Sequence, residues 1–300
     1  MPEPTLQRLF VTGGRGRLAS LVAGRFRDPA HAVTLFSRQG GDGFLPLAGL
    51  TEPGALTGAD TLLHLAWSTL PATSEQNPDA EKLQDLPVLT KLLESIVASP
   101  AGARPHFVFF SSGGAVYGNA RGQQPSREDD PCAPIGRYGH AKLAAEQLIT
   151  EYGRRHGLSH TILRISNPYG FPAPMQKPQG IVPFLIHSAR NGRPFSVWGD
   201  GTARKDFLYH TDFTAALEQV IRVRPQGVFN VSHGESHSVN EVIQCVEQTL
   251  RRKIAIQHVP AHPWDVHDSL LDNTKLSCAI HWRPAVTLAE GIRRTVAHAG

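Results

Sequence analysis

Apolar positions along the chain follow two rhythms. Short apolar runs at Leu9 to Thr12, Ala32 to Ser37, Thr61 to Ala66, His106 to Ser111 and residues 159 to 166 alternate with stretches of helical spacing. Those stretches start at about Leu18 and run from about Glu81 to Val97 and from Tyr138 to about His156. Runs such as DTLLHLA and HFVFFSS have no polar alternate face, so as strands they need cover on both sides. That pattern predicts an α/β fold with a doubly wound parallel sheet. After Asn167 the texture changes, with prolines at 168, 172, 174, 178 and 183 and glycines at 170 and 180. This stretch predicts an exit into a second, looser lobe. Within that lobe VFNVSHGESHSVNEVIQCVEQTL predicts a strand, a turn and a helix, with Ser238 as N-cap and Glu241 as its capping-box partner. The expected domains are 1–170, with part of 205–230 returning to it, and a smaller C-terminal α/β lobe over 171–300. Two lobes with a cleft is the economical arrangement.

Composition narrows the class. Three hundred residues with 40% hydrophobic content can bury a sizeable core. Met1 to Gln7 has neither the basic start nor the apolar centre of a signal peptide, and no run approaches the ~20 apolar residues that span a bilayer. A soluble cytoplasmic enzyme with no membrane partner is expected. Cys132, Cys245 and Cys278 lack the paired spacing of a disulfide framework or a zinc ribbon. The net charge of +4 has no Lys/Arg tract behind it, which argues against nucleic acid and leaves room for small anionic ligands. Among fifteen histidines, His258 and His262 are four apart but separated by Pro260, so no metal site is expected.

The run TGGRGRLA at residues 12 to 19 sits between the first strand and the first helix, which is where a Rossmann-type dinucleotide turn belongs. Gly13 would permit the tight turn, and Gly16 would let the backbone approach a pyrophosphate at the positive end of the helix. An unphosphorylated adenosine ribose is usually held by an acid at the end of the second strand. Here that strand ends Phe36-Ser37-Arg38, with no acid until Asp42. Arg38 and Arg15 could grip a 2′-phosphate, so NADP is favoured, with NAD as the alternative.

Some twenty residues beyond SSGGAVYG, residues 111 to 118, comes Tyr138-Gly-His-Ala-Lys142. Tyr138 and Lys142 are four apart on a predicted helix and face one way. An ammonium beside the phenol, with a cationic nicotinamide ring, would stabilise a phenolate, so Tyr138 could exchange a proton with a sugar hydroxyl or ketone.

With these motifs in order, the chain resembles the extended short-chain dehydrogenase/reductase family, also called the NAD-dependent epimerase/dehydratase family. LRISNPYG, VWGDGTARKDFLYHTD, SLLDNTKL and HWRPAVTLAEGI extend the likeness over nearly the whole length. The resemblance implies that Tyr138 is the catalytic acid/base and Lys142 its electrostatic partner. It implies a cofactor cradle of Gly13, Arg15, Gly16, Arg17, Leu18, Arg38, Leu65, Ala66 and Ser111, together with Tyr138 and Lys142. It also implies a nucleoside-diphosphate sugar held by Gly113, Tyr117, Asn167, Arg204, Lys205 and His262.

The chain departs from the family pattern at several positions. Gly113 stands where the family has a catalytic Ser or Thr, and Ala115 stands where relatives with a double glycine keep a threonine; Ser112 or Ser111 is the substitute expected to hold the substrate oxygen. Ala19 replaces the third glycine of the fingerprint. Asp85 replaces a structural Asn and is expected to accept a backbone bond. His262 replaces a phosphate-binding arginine, with less affinity for a diphosphate.

The leading expectation is an NADP(H)-dependent oxidoreductase that reduces a nucleoside-diphosphate 4-keto-6-deoxy sugar at C4. The alternative is a 4-epimerase with tightly bound NAD, like UDP-galactose 4-epimerase, and a remote one is a non-catalytic NADP(H) sensor. Helices near 81–97 and 138–156 carry apolar surface that would suit a homodimer.

Overall fold

The computed structural model describes residues 6–52, 54–120, 122, 124–172 and 180–298. The chain divides into two units, one of Met1–Ser112, Gly136–Arg164 and Leu217–Phe229, the other of Gly113–Ile135, Ile165–Ala216 and Asn230–Gly300. Prolines 174 and 178 of the expected exit lie outside the described residues.

The first unit is built on β1 (Gln7–Thr12), β2 (His31–Ser37), β3 (Leu45–Pro46), β4 (Thr61–His64), β5 (His106–Ser112), β6 (His160–Ile165) and β10 (Gly227–Val231). They form a seven-stranded parallel sheet in the order β10-β6-β5-β4-β1-β2-β3, a doubly wound Rossmann-type arrangement. All four residues of β4 and the first six of β5 are buried, as uninterrupted apolar strands require. Helices α1 (Arg17–Arg25), α2 (Pro71–Gln76), α3 (Leu86–Ala98) and α5 (Arg137–His156) belong to the same unit. On α3, Leu89, Leu92, Leu93 and Ile96 recur at helical spacing and are buried in one core with Phe36, Leu62, Phe107, Phe109, Ala145 and Ile149. Each such side chain contributes about 1.5–3 kcal/mol by burial, and truncating Leu92 to Ala would cost about 2–5 kcal/mol. Helix α5 ends where Gly157 turns left-handed at φ +64° and donates to the Gly153 carbonyl. The basic residues Arg154, Arg155 and His156 in its last turn suit the negative end of the dipole.

Two local differences from the sequence pattern matter for function. The strand expected to run to Ala66 stops at His64, because the amides of Leu65 and Ala66 turn to the Thr12 hydroxyl, at 3.2 and 3.1 Å. The helix expected from Glu81 opens with a π-helical turn over Glu81–Asp85 before α3 begins. Such wide turns occur most often at functional positions.

In the second unit β11 (Ser236–Ser238), β9 (Arg204–Tyr209) and β7 (Asn167–Tyr169) make one small sheet, and β12 (Ile256–Val259) pairs in parallel with β8 (Phe195–Trp198). The unit also holds α4 (Gly113–Val116), α6 (Ile181–Asn191), the first half of α7 (His210–Val223), whose second half belongs to the first unit, α8 (Val239–Leu250), α9 (Thr274–Ile280) and α10 (Leu288–His298). Tyr169, Val182, Leu185, Val242, Val246 and Ile292 are part of its core. Helix α8 starts as expected: the Ser238 hydroxyl accepts from the Glu241 amide at 3.1 Å, and Glu241 accepts from the Ser238 amide at 2.7 Å. No helix among the described residues is long and apolar enough to cross a membrane. Among them, too, no cluster of His, Cys, Asp or Glu could hold a metal ion.

Candidate active site

The glycine turn after β1 is shaped by close backbone approach. Gly13 has φ +72°, and a Cβ there would stand 2.8 Å from the Ala66 nitrogen and 2.9 Å from the Leu65 carbonyl carbon. Only glycine fits both the conformation and the space. Gly13 thereby lies against Leu65 and Ala66 of the β4 exit, so three expected cofactor residues come together. Gly16 caps α1, and the first turn of that helix carries no acid, leaving its positive end available to an anion. Arg17 and Leu18 open the helix half-buried. This cradle fits the pyrophosphate of a nicotinamide dinucleotide.

At the far end of β2, Arg38 is exposed. Arg15 reaches the loop just beyond it, donating to the Gly40 and Gly41 carbonyls at 3.0 and 3.3 Å and pairing with Asp42 at 3.2 Å, while its guanidinium lies 4.7 Å from the Phe44 ring centre. The nearest acid after β2 is therefore already held by an arginine.

Tyr138 and Lys142 share a face of α5. Lys142 is buried; its Nζ donates to the Phe110 carbonyl at 2.9 Å and sits 3.8 Å from the centre of the Trp67 ring and 5.7 Å from that of Tyr138. Burial brings the Lys142 amine down to about 7, against the opposing pull of Asp85, Glu146 and Glu81. The half-buried Tyr138 is pushed above its ordinary value, first by burial and then by Glu81 and Asp85. The protein's own groups thus hold Tyr138 as a phenol rather than favouring the phenolate expected from the lysine alone.

The surroundings of this pair include residues that spacing did not reveal. Asp85 accepts from the Ser68 amide at 2.9 Å and from the Ser68 hydroxyl at 2.6 Å, so the expected backbone bond is joined by a second. Glu81, one turn earlier, accepts from the Thr69 hydroxyl. His64 bonds to Thr12 at 2.9 Å; burial, followed by the charge of Lys142, brings its pKa down to about 3, which keeps it neutral. The Trp67 ring was signalled only by its place directly after HLA.

At the end of β5 the two serines separate. The Ser111 hydroxyl donates to Glu146, which also forms a buried ion pair with Arg164 at 2.7 Å, so that hydroxyl is committed to the scaffold. Ser112 is half-buried at the strand's last position.

In the second unit several expected ligand groups are bonded to the chain itself. Tyr117, expected at the substrate, is buried and donates to Asn230 Oδ1 at 2.8 Å. Arg204 donates to the Ser236 hydroxyl at 3.2 Å and pairs with Glu241 at 3.4 Å, whereas Lys205 bonds to the Val266 carbonyl and pairs with Asp265 at 3.3 Å. Adjacent strand residues point to opposite faces, and Arg204 and Lys205 accordingly meet different partners. Asn167 donates to the Asp206 carbonyl at 3.0 Å. A Cβ on Gly114 would lie 3.7 Å from both Asn167 Nδ2 and Ser269 Oγ, so the double glycine opens space beside two polar side chains. Gly113 is buried at the start of α4. His262 stacks on Trp264 at 4.5 Å and meets the edge of Trp198 at 4.5 Å.

These features have a common origin. A model of the NAD dependent epimerase/dehydratase family matches residues 9–232. The chain belongs to this family. Members of this extended short-chain dehydrogenase/reductase type are nucleotide-sugar epimerases, dehydratases and reductases using a nicotinamide dinucleotide, so the chain is an enzyme of that group. It is 27% identical over 237 residues to the dTDP-4-dehydro-6-deoxyglucose reductase of Escherichia coli, covering 79% of this chain and 73% of that one. It is 28% identical over 311 residues to the UDP-glucose 4-epimerase of Mycolicibacterium smegmatis, covering 96% and 97%. Among solved structures, the UDP-glucose 4-epimerase of Thermotoga maritima with UDP-glucose superposes with a TM-score of 0.86 at 26% identity over 98% of each chain. The Thermus thermophilus UDP-glucose 4-epimerase with NAD gives 0.84 at 27% identity, covering 97% of this chain and 98% of that one.

Proposed function

We propose that this family member is an NADP(H)-dependent reductase of a nucleoside-diphosphate 4-keto-6-deoxy sugar. The feature that carries this reading is the environment of Tyr138: half-buried, with burial and the charges of Glu81 and Asp85 disfavouring its phenolate, it meets the substrate protonated, as the group that hands a proton to a ketone must. The likeness to the Escherichia coli reductase supports the same direction. When bound, the cofactor supplies hydride to the C4 carbon. Tyr138 then gives its hydroxyl proton to the C4 oxygen and recovers one from solvent. Lys142 holds the nicotinamide ribose and offsets the charge left on Tyr138, while Ser112 orients the C4 oxygen. Replacing Tyr138 removes the only group assigned to move the proton, so general acid catalysis of about 10²–10⁴-fold rests on it.

The phosphorylated cofactor is assigned from Arg38, exposed where a ribose-binding acid would otherwise stand, with Arg15 bonded to the adjoining loop and paired with Asp42. Asn167 and Lys205 are assigned to the sugar diphosphate. A second reading, a 4-epimerase retaining NAD, is favoured by the full-length likeness to UDP-glucose 4-epimerases, one of them solved with NAD. Purified enzyme given NADPH should oxidise it only when a nucleotide 4-keto-6-deoxy sugar is added. Co-purified NAD together with interconversion of two stable sugar nucleotides would overturn the proposal in favour of the epimerase.

A further inference from the structure

Linked to Lys142 through Trp67 is a feature that ketone reduction in general does not require. The π-helical turn places Glu81 and Asp85 four residues apart, and both are buried, at 3% and 8% exposure. Each is tied to the segment that follows β4: Asp85 through both the amide and the hydroxyl of Ser68, Glu81 through the hydroxyl of Thr69. The same segment presents Trp67 to the Lys142 ammonium. Two carboxylates, three consecutive residues and the amine are therefore linked into one connected set, with the Tyr138 ring centre 5.7 Å from the amine.

We propose that Asp85 and Glu81 are positioning residues: through Ser68, Thr69 and Trp67 they hold the frame around Lys142, and their charges keep Lys142 an ammonium and Tyr138 a phenol until the substrate oxygen takes the proton. The inference rests on the reductase reading for its purpose, though not for its test. Two carboxylates disfavour a third negative charge on Tyr138 and favour the positive charge on Lys142. The first keeps the phenol protonated until the substrate oxygen draws the proton away, and the second keeps the amine positive to offset the phenolate then left behind. The other charged groups around the pair do not cancel them. Glu146, on α5 itself, also supports Lys142 but is paired with Arg164, and His64 from β4 is neutral. On α2, Glu75 is turned to Arg137, accepting its amide at 2.7 Å and facing its guanidinium at 3.5 Å. An asparagine at 85 would keep an acceptor for the Ser68 amide and could donate to the Ser68 hydroxyl, so the hydrogen-bond frame can survive loss of the charge.

The experiment is a carbon-13 NMR titration of lysine Cε and tyrosine Cζ in the purified protein without substrate. Lys142→Met and Tyr138→Phe assign the two signals. Asp85→Asn should move the midpoints of Lys142 and Tyr138 to lower pH by about one pH unit each, a tenfold change in each protonation ratio, and Glu81→Gln should move them the same way by less. Ser68→Ala, which loosens the frame but keeps both charges, should lower thermal stability without lowering the Lys142 midpoint. Loosening alone would hydrate the amine and raise its midpoint, the opposite sign. Unchanged or raised Lys142 midpoints in both acid variants would overturn the proposal, and Glu81→Gln decides the matter if Asp85→Asn fails to fold. Failure of the reductase reading would instead show as no NADPH oxidation with any 4-keto sugar nucleotide, a result that does not touch the titration.

Discussion

The two units answer differently to the same kind of expectation. In the first, residues chosen from motif spacing converge: Gly13 lies against Leu65 and Ala66, and Tyr138 and Lys142 share a face of α5. In the second, the expected cations are bound to the chain's own acceptors, with Arg204 on Ser236 and Glu241 and Lys205 on Asp265 and Val266. The difference lies in what fixes each residue. A helix repeats every 3.6 residues, so i and i+4 share a face whatever surrounds them, and a backbone clash leaves only glycine in a turn. A basic residue on a short strand is free to take any nearby acid, and which acid is near depends on segments distant in sequence. Functional placement is therefore robust where backbone geometry decides it and fragile where side-chain partners do.

Substitutions can sharpen this contrast. The largest effect is expected in the glycine turn. Gly13→Val imposes a positive φ on a β-branched residue and drives its Cβ into Ala66, so stability should fall by at least about 2 kcal/mol in a denaturant titration, with no measurable NADPH binding by calorimetry. Next comes Lys142. Its amine is depressed in the fold to about 7 from an ordinary 10.5, so between those values the unfolded chain binds the extra proton and stability rises with pH. Below pH 7 both states are protonated and the burial cost is fully present. The stability of the natural protein relative to Lys142→Met should therefore climb from pH 7 toward pH 10; a flat difference would show the amine to be well solvated.

A smaller effect is expected at the adenosine end. Arg38→Asp should weaken NADPH binding about tenfold or more, the scale of one charge-assisted hydrogen bond, while altering NADH binding far less. Equal losses would remove the assignment of a phosphorylated cofactor. The smallest effect belongs to the second unit: Arg204→Ala should cost about 1 kcal/mol of stability through its bonds to Ser236 and Glu241, with little change in KM for the sugar nucleotide. A large rise in KM would restore Arg204 as a ligand and erase the contrast.

The sheet and its helices were legible because uninterrupted apolar strands and stripes such as Leu89, Leu92, Leu93 and Ile96 admit few alternatives. The Ser238–Glu241 cap was legible because both partners lie within four residues. The partner of Ser111 was not legible: it is Glu146, thirty-five residues away, and no local signal gives that pairing. The role of Asp85 was only half visible, since its second bond to Ser68 and its company with Glu81 depend on a π-helical turn that apolar spacing does not encode. The raised phenol of Tyr138 was hidden for the same reason: the acids that cause it are close only in the folded chain.

The most direct test is a single-turnover stopped-flow measurement of NADPH oxidation by natural protein and Tyr138→Phe, each mixed with a nucleoside-diphosphate 4-keto-6-deoxy sugar at pH 7. Slowing by about a hundredfold or more, with NADPH affinity unchanged, is the predicted result for loss of the proton donor. Equal rates in the two proteins would contradict the assignment of Tyr138 as the acid, and with it the chemistry drawn from the first unit.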